Sequence, residues 1–508
     1  MDRRDFLVGT AFVATALSAP AIMSAQVSSQ TPVADGKRVR RKLSSLANDD
    51  PFFDAYRRAV ELMHEQPESS PISWIAQARK HGDFCAHGTL EFFPWHRPYL
   101  VLFERICGAL IGDPDFALPY WDWADNKVRL PAPFFGGSLD VASWNDDGRY
   151  FGQNWGPINS VPHRYGRADL GAADHPGFAG VFSPSSLQAM EDARDYQLLS
   201  DLTENPHGVV HVFTGGDSDF NLGTRRGHFR DGLSPLDPCF WLHHANVDRI
   251  WAQSQIPLSD QLATMPDPNK IYEGIFHDEN GAPVRPAMAD QFDFSKHDYI
   301  YDFMLPELLS EEQRAQEEQI AAAQSQILSL AEQRGFDELQ LGRSASAFAN
   351  APVERTIAAG AILRLNIQSE GVIDVISSQA LVPRQLSILD SAFAIGTGRV
   401  YARLNNVKPL AASDGNSVKV FVNCPYLSDA TPSTDPHFAG MLSFFGCNPE
   451  FCGPRSFSVD ITEPLNYLAT NGSLTPDSLQ LQLLSVTGDG RLTGKDVADV
   501  GSVELIGA

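Results

Sequence analysis

Apolar positions along the chain change their period near residue 350. Before it they recur at three- and four-residue spacing in PFFDAYRRAVELMHEQ from Pro51, PYLVLFERICGALIG from Pro98 and CFWLHHANVDRIWAQ from Cys239. That spacing predicts helices with a buried face, and Asp237-Pro238 is a suitable start for the last of them. Residues 125–190 are rich in Gly, Pro, Asn and Asp and predict irregular surface structure. Residues 309–334 predict a connector helix, opened by a capping box (Ser310, Gln313) and stopped at Gly335. After residue 350, runs from Ala361, Arg399, Ser417, Phe457, Ser478 and Ser502 alternate apolar and polar positions between turn residues. They predict an antiparallel β-sandwich.

Length and composition narrow the function classes. With 508 residues the length prior is about three domains; the patterning reduces this to two and a helical link. Acidic residues outnumber basic ones, 63 to 39, a net charge of -24. Such a field repels phosphate backbones and anionic lipid, so no nucleic-acid partner is expected. No apolar run is long enough for a polytopic membrane protein, and six Cys are too few for a disulfide-built scaffold. Residues 1–25 read as an address: Arg3-Arg4, then Phe6-Leu7, a short apolar run and small residues near Ala21 to Ala25. That layout predicts a cleaved twin-Arg export signal, a periplasmic or secreted product, and no integral membrane anchor.

Histidine is the uneven residue. Of 14, only His437 follows residue 300. In ENPHGVVHVFTGG, His207 and His211 are four apart and share a helix face. His243 and His244 lie in a predicted buried helix, where imidazole is costly unless its nitrogens are bound; Asp248 is a candidate to orient a ring. Upstream, HGDFCAHGTLEFFPWHRPYL holds His81, His87 and His96. Two three-His sets without a completing carboxylate favour a pair of metals, copper first. A zinc hydrolase would use only half of them.

The block FFPWHRPYLVLFERICGALIGDPDFALPYWDWA resembles the first copper-binding region of tyrosinases and catechol oxidases, particularly plant-type polyphenol oxidases. DPCFWLHHANVDRIW resembles the second region, and PHGVVH supplies the remaining pair. The resemblance covers roughly residues 45–305. It implies a mainly α domain over 26–308, a four-helix bundle with long loops around two copper ions, then a link at 309–349 and a β-sandwich covering domain over 350–508. His81, His87 and His96 would hold one copper, and His207, His211 and His244 the other. His64 competes with His81, which is preferred because the family places that ligand four residues before a Cys, here Cys85. Cys85-Ala86-His87 resembles the fungal spacing for a Cys–His thioether. Glu204 matches a carboxylate that holds a water near the site, and Phe229 resembles a gate over the first copper. Gly208 stands where many members that hydroxylate monophenols carry Asn.

The activity implied is O2-dependent oxidation of small o-diphenols to o-quinones, with Gly208 tilting the reading away from monophenols. A haemocyanin-like O2 carrier is the rival. Tyr299-Ile300-Tyr301 resembles the motif closing the plant domain. The β region would cover the site, with Phe444 or Phe445 as its plug. Cys447 and Cys452 flank NPEF in one loop, and the spacing suits either a local disulfide or two free thiols. A homo-oligomer remains open.

Overall fold

The computed structural model describes residues 27–123, 130–144, 181–215, 228–230, 232–305, 346–367, 399–410, 416–445, 453–473, 479–487 and 492–507. The expected export signal, the connector helix and the Cys447–Cys452 loop lie outside the described residues.

Three helices form the first part of the bundle: α1 (Pro51–Glu65), α2 (Trp74–Phe84) and α3 (Phe92–Ile111). Their starts are built by short side chains. Asp50 accepts from the Phe52 amide at 2.9 Å with Pro51 in the first turn, and Ser73 accepts from the Ala76 amide at 3.2 Å. α3 begins six residues before the stretch that periodicity marks. Pro94 and Pro98 look like breakers in sequence, but Pro94 sits in the first turn, where no intrahelical N–H bond is lost. The helix stops at Gly112, whose φ of 74° is the left-handed cap that favours glycine.

α4 (Pro184–Asp192), α5 (Tyr196–Thr214) and α6 (Cys239–Gln253) complete the bundle, followed by the short α7 (Leu258–Thr264) and α8 (Met288–Phe292). α4 corrects the expectation of irregular structure through residue 190. Ser183 caps it by accepting from the Ser186 amide at 3.1 Å, an order that composition alone conceals. The core is aromatic: Trp241 stacks on Phe103 at 3.4 Å, and Trp74, Trp95 and Trp121 are fully buried.

A small sheet closes this domain. β1 (Val33–Ala34) pairs with β2 (Lys37–Arg40), while β3 (Phe276–His277) and β4 (Pro283–Val284) form a ribbon. β5 (Tyr299–Tyr301) runs parallel to β2 with Arg40 opposite Tyr301.

Beyond residue 346 the expected sandwich is present. β6 (Ser346–Ile357), β8 (Val400–Pro409), β11 (Arg455–Asp460) and β13 (Ala498–Gly507) form one antiparallel sheet, ordered β11-β8-β13-β6. β7 (Ile362–Ile367), β9 (Asn416–Val422), β10 (Phe438–Ser443) and β12 (Leu479–Thr487) form the other, ordered β10-β9-β12-β7. Val420, Leu404, Leu483 and Leu505 are buried between them. β6, β10 and helix α9 (Thr462–Thr470) escape the alternation pattern. β10 does so because Phe438 and Met441 join the apolar core of the helical domain, while Leu442 packs inside the sandwich. Both faces of that edge are therefore covered, and alternation fades.

Candidate metal centre

The His arrive on four helices and one loop. His81 is in the last turn of α2, His87 in the loop after it, and His96 in the second turn of α3. α5 presents His207 and His211 one turn apart, and α6 presents His243 and His244. The first set converges, with ring centroids of His81, His87 and His96 5.1 to 5.7 Å apart. The second does too: His207, His211 and His244 lie 4.6 to 5.6 Å apart. The sets abut, His96 lying 4.4 Å from His244 and His87 5.2 Å from His207.

Backbone carbonyls orient three of the rings. Nδ1 of His81 faces the Gly232 carbonyl, that of His96 the Phe92 carbonyl and that of His211 the Phe229 carbonyl, each at 2.7 Å. Donation from Nδ1 leaves the Nε2 lone pair for the interior. Burial first, and neighbouring imidazoles second, hold His87, His96, His207, His211 and His244 well below the ordinary histidine range. The rings are therefore neutral. Nε2 of His244 lies 3.2 Å from Nε2 of His207 and 3.4 Å from that of His211, while Nε2 of His87 and of His96 has no hydrogen-bond partner. Neutral, desolvated lone pairs pointing at one another are costly unless a cation is shared. This donor set fits two nitrogen-loving metal ions, as copper is.

Other expected residues fall as follows. His64 stacks on Trp144 at 3.5 Å and on Trp74, so His81 rather than His64 belongs to the cluster. His243 has nitrogens within ligand reach of the second set, but its ring stacks on His207 and lies tilted against Trp123 at 5.0 Å. Cys85 Sγ lies 3.3 Å from His87 Nδ1. Glu204 accepts a hydrogen bond from the Gly88 amide, immediately after His87, and so bridges the two halves of the pocket. Phe229 packs at 4.6 Å on His211 of the second set rather than over the first.

Asp248 is corrected. It binds no imidazole: its carboxylate accepts from Arg97 at 2.6 Å, Arg40 at 2.9 Å, Tyr299 at 2.6 Å and Tyr301 at 2.7 Å. Burial pushes its pKa up, but the Arg97 and Arg40 guanidiniums and the two phenols outweigh this and hold it at about 2. The helical turn between His244 and Asp248 thus joins the His cluster to a salt-bridged base.

Two residues of the β domain also reach the pocket. Phe445 stacks face to face on His211 at 3.7 Å and 5°, and sits 5.3 Å from His87 and 5.6 Å from His207. Phe444 instead packs inside the sandwich against Phe457. The apolar run GMLSFFG was the only sequence signal for either. Arg455 approaches Glu204 at 3.7 Å and donates to the Ser443 carbonyl at 2.6 Å; no motif marks it.

Residues 55–255 match the family model for the common central domain of tyrosinase. Over that stretch the chain carries a tyrosinase-type central domain. Catechol oxidase B of Solanum tuberosum, a chloroplastic protein, is 29% identical over 296 residues, covering 52% of this chain and 49% of that protein. The chain spans about half the length of the curated relatives it matches. Among solved structures, latent apple tyrosinase superposes with a TM-score of 0.57 at 18% identity, covering 94% of this chain and 99% of that one. A functional unit of octopus hemocyanin superposes with a TM-score of 0.54 at 17% identity, covering 92% and 100%. Both share the helical-plus-β fold. Among the described residues, no helix is long and apolar enough to cross a membrane.

Proposed function

We propose that this chain oxidises small o-diphenols to o-quinones with O2 at a dicopper site, and that its β domain holds it latent. The observation that carries the reading is the convergence of six buried imidazoles from four helices and one loop. His81, His87 and His96 would hold one copper, and His207, His211 and His244 the other. When bound, the copper pair supplies O2 activation and the two-electron oxidation. The carbonyls of Gly232, Phe92 and Phe229 keep three rings aimed inward through that chemistry. The aromatic walls of Phe92, Phe229 and Phe240 exclude water. Glu204, held by the Gly88 amide, is the base positioned to take a phenolic proton. A thioether from Cys85 to His87 would stiffen the ligand in the loop, and residues 1–25 would direct export by the twin-Arg route.

The stack of Phe445 on His211 supports latency. A flat aromatic ring lies parallel to a ligand ring, as a planar phenol would. Catechol turnover is expected to be low in the full chain and to rise after limited proteolysis, with bound copper unchanged. Copper at two per chain but no quinone after proteolysis favours an O2 carrier. His96→Ala should remove one copper per chain; retention of both would overturn the ligand set. Intact-mass measurement on the exported protein tests the signal and the thioether, the latter making the chain lighter by a pair of hydrogens.

A further inference from the structure

Each His set carries a glycine directly after a ligand: His87-Gly88 and His207-Gly208. Gly208 lies inside α5, where glycine is a poor choice and alanine the best helix former. Its backbone has no need of glycine's freedom. Its surroundings do exclude a side chain: a Cβ there would lie 2.5 Å from Ser443 Oγ, 2.9 Å from Ser443 Cβ and 3.1 Å from Phe445 Cβ. The excluded atoms are all from the β domain. Gly88 repeats the arrangement, since a Cβ on it would lie 2.7 Å from Arg455 Cδ and 2.8 Å from its Nη1. There the φ of +70° favours glycine as well, so Gly208 is the cleaner witness.

We propose that Gly208 and Gly88 form a two-point seat for the β domain, so that the residue following each ligand decides whether the cover closes. Ser443 and Phe445 seat on Gly208; Arg455 seats on Gly88, beside the Glu204 carboxylate. Position 208 is then set by docking and not by helix stability. A single methyl group at 208 must push the end of β10 outward, because Ser443 Cβ cannot rotate away. This rests on the reading of the β domain as a cover, and it extends that reading to named positions.

The test compares the full-length chain with Gly208→Ala, Ser443→Gly and the double variant, by hydrogen–deuterium exchange over residues 438–445 and by catechol turnover without protease. Overpacking of this kind corresponds to a shift of about tenfold to a hundredfold in an opening equilibrium. Gly208→Ala is expected to raise exchange in 438–445 by that factor, and turnover with it. Ser443→Gly in the same chain should restore slow exchange, since it removes both nearest atoms. Unchanged exchange in Gly208→Ala overturns the proposal, as does a Gly208→Ala chain whose misfolding or fast exchange Ser443→Gly fails to rescue. If no variant oxidises catechol, even after proteolysis, the oxidase reading falls, while the exchange comparison still decides the seat.

Discussion

Two buried polar clusters meet α6 one turn apart, and they obey opposite rules. The His cluster faces inward with neutral nitrogens aimed at one another. One turn along, Asp248 joins Arg40, Arg97, Tyr299 and Tyr301 in a network in which both carboxylate oxygens are met, and Glu104 accepts from Arg40 at 2.8 and 2.9 Å. The second cluster meets its charges internally, with only Arg97 Nη2 left without a hydrogen-bond partner, and holds β2, α3, α6 and β5 together. The first is complete only with cations. A network whose opposite charges meet one another marks structure, and a cluster of like lone pairs with nothing between them marks chemistry.

That contrast can be broken by experiment. Asp248→Ala leaves the buried Arg97 guanidinium without its carboxylate partner and should cost about 3–5 kcal/mol of stability, read from a denaturant midpoint. A loss under about 1 kcal/mol would mean the network is not what ties the elements. Loading the apoprotein with copper at a hundred times its dissociation constant should stabilise it by about 2.7 kcal/mol, seen as a higher melting temperature. The same addition to the His96→Ala chain should stabilise it less.

The network also sets an acid limit. Asp248 titrates at about 2 in the folded chain against an ordinary 3.8, so its contribution is fully present above the unfolded value and is lost as pH falls through the folded one. The loss amounts to about 2 kcal/mol between pH 4 and 2, and Asp248→Asn should flatten that part of the profile. The smallest effect belongs to His64. It stacks on Trp144 outside the cluster, so His64→Ala should cost about 1 kcal/mol and leave two coppers bound by elemental analysis.

Much of this was legible in advance where local chemistry is strong. The helix from Pro51 and that from Cys239 match their periodicity, and alternation located six strands of the sandwich. The start of α3 was missed because prolines at helix starts look like prolines at helix ends. β10 was missed because the cover makes both of its faces apolar. At the site, the four-residue step from His207 to His211 was readable as one helix face. Asp248 was misread because an acid one turn from a ligand can serve either a ring or an arginine, and only packing chooses. Arg455 carried no signal, since its partner is more than 200 residues away in the chain.

By itself the sequence determined which residue types exist to bind metal, that they cluster before residue 300, and that a β-rich half follows. Those are properties of local spacing and composition. Only the tertiary structure decided that His81 and not His64 joins the cluster, that Asp248 serves arginines, and that Phe445 rather than Phe444 meets His211. Each of those choices depends on which remote side chains share a desolvated space, and that is settled by packing between elements rather than by order along the chain.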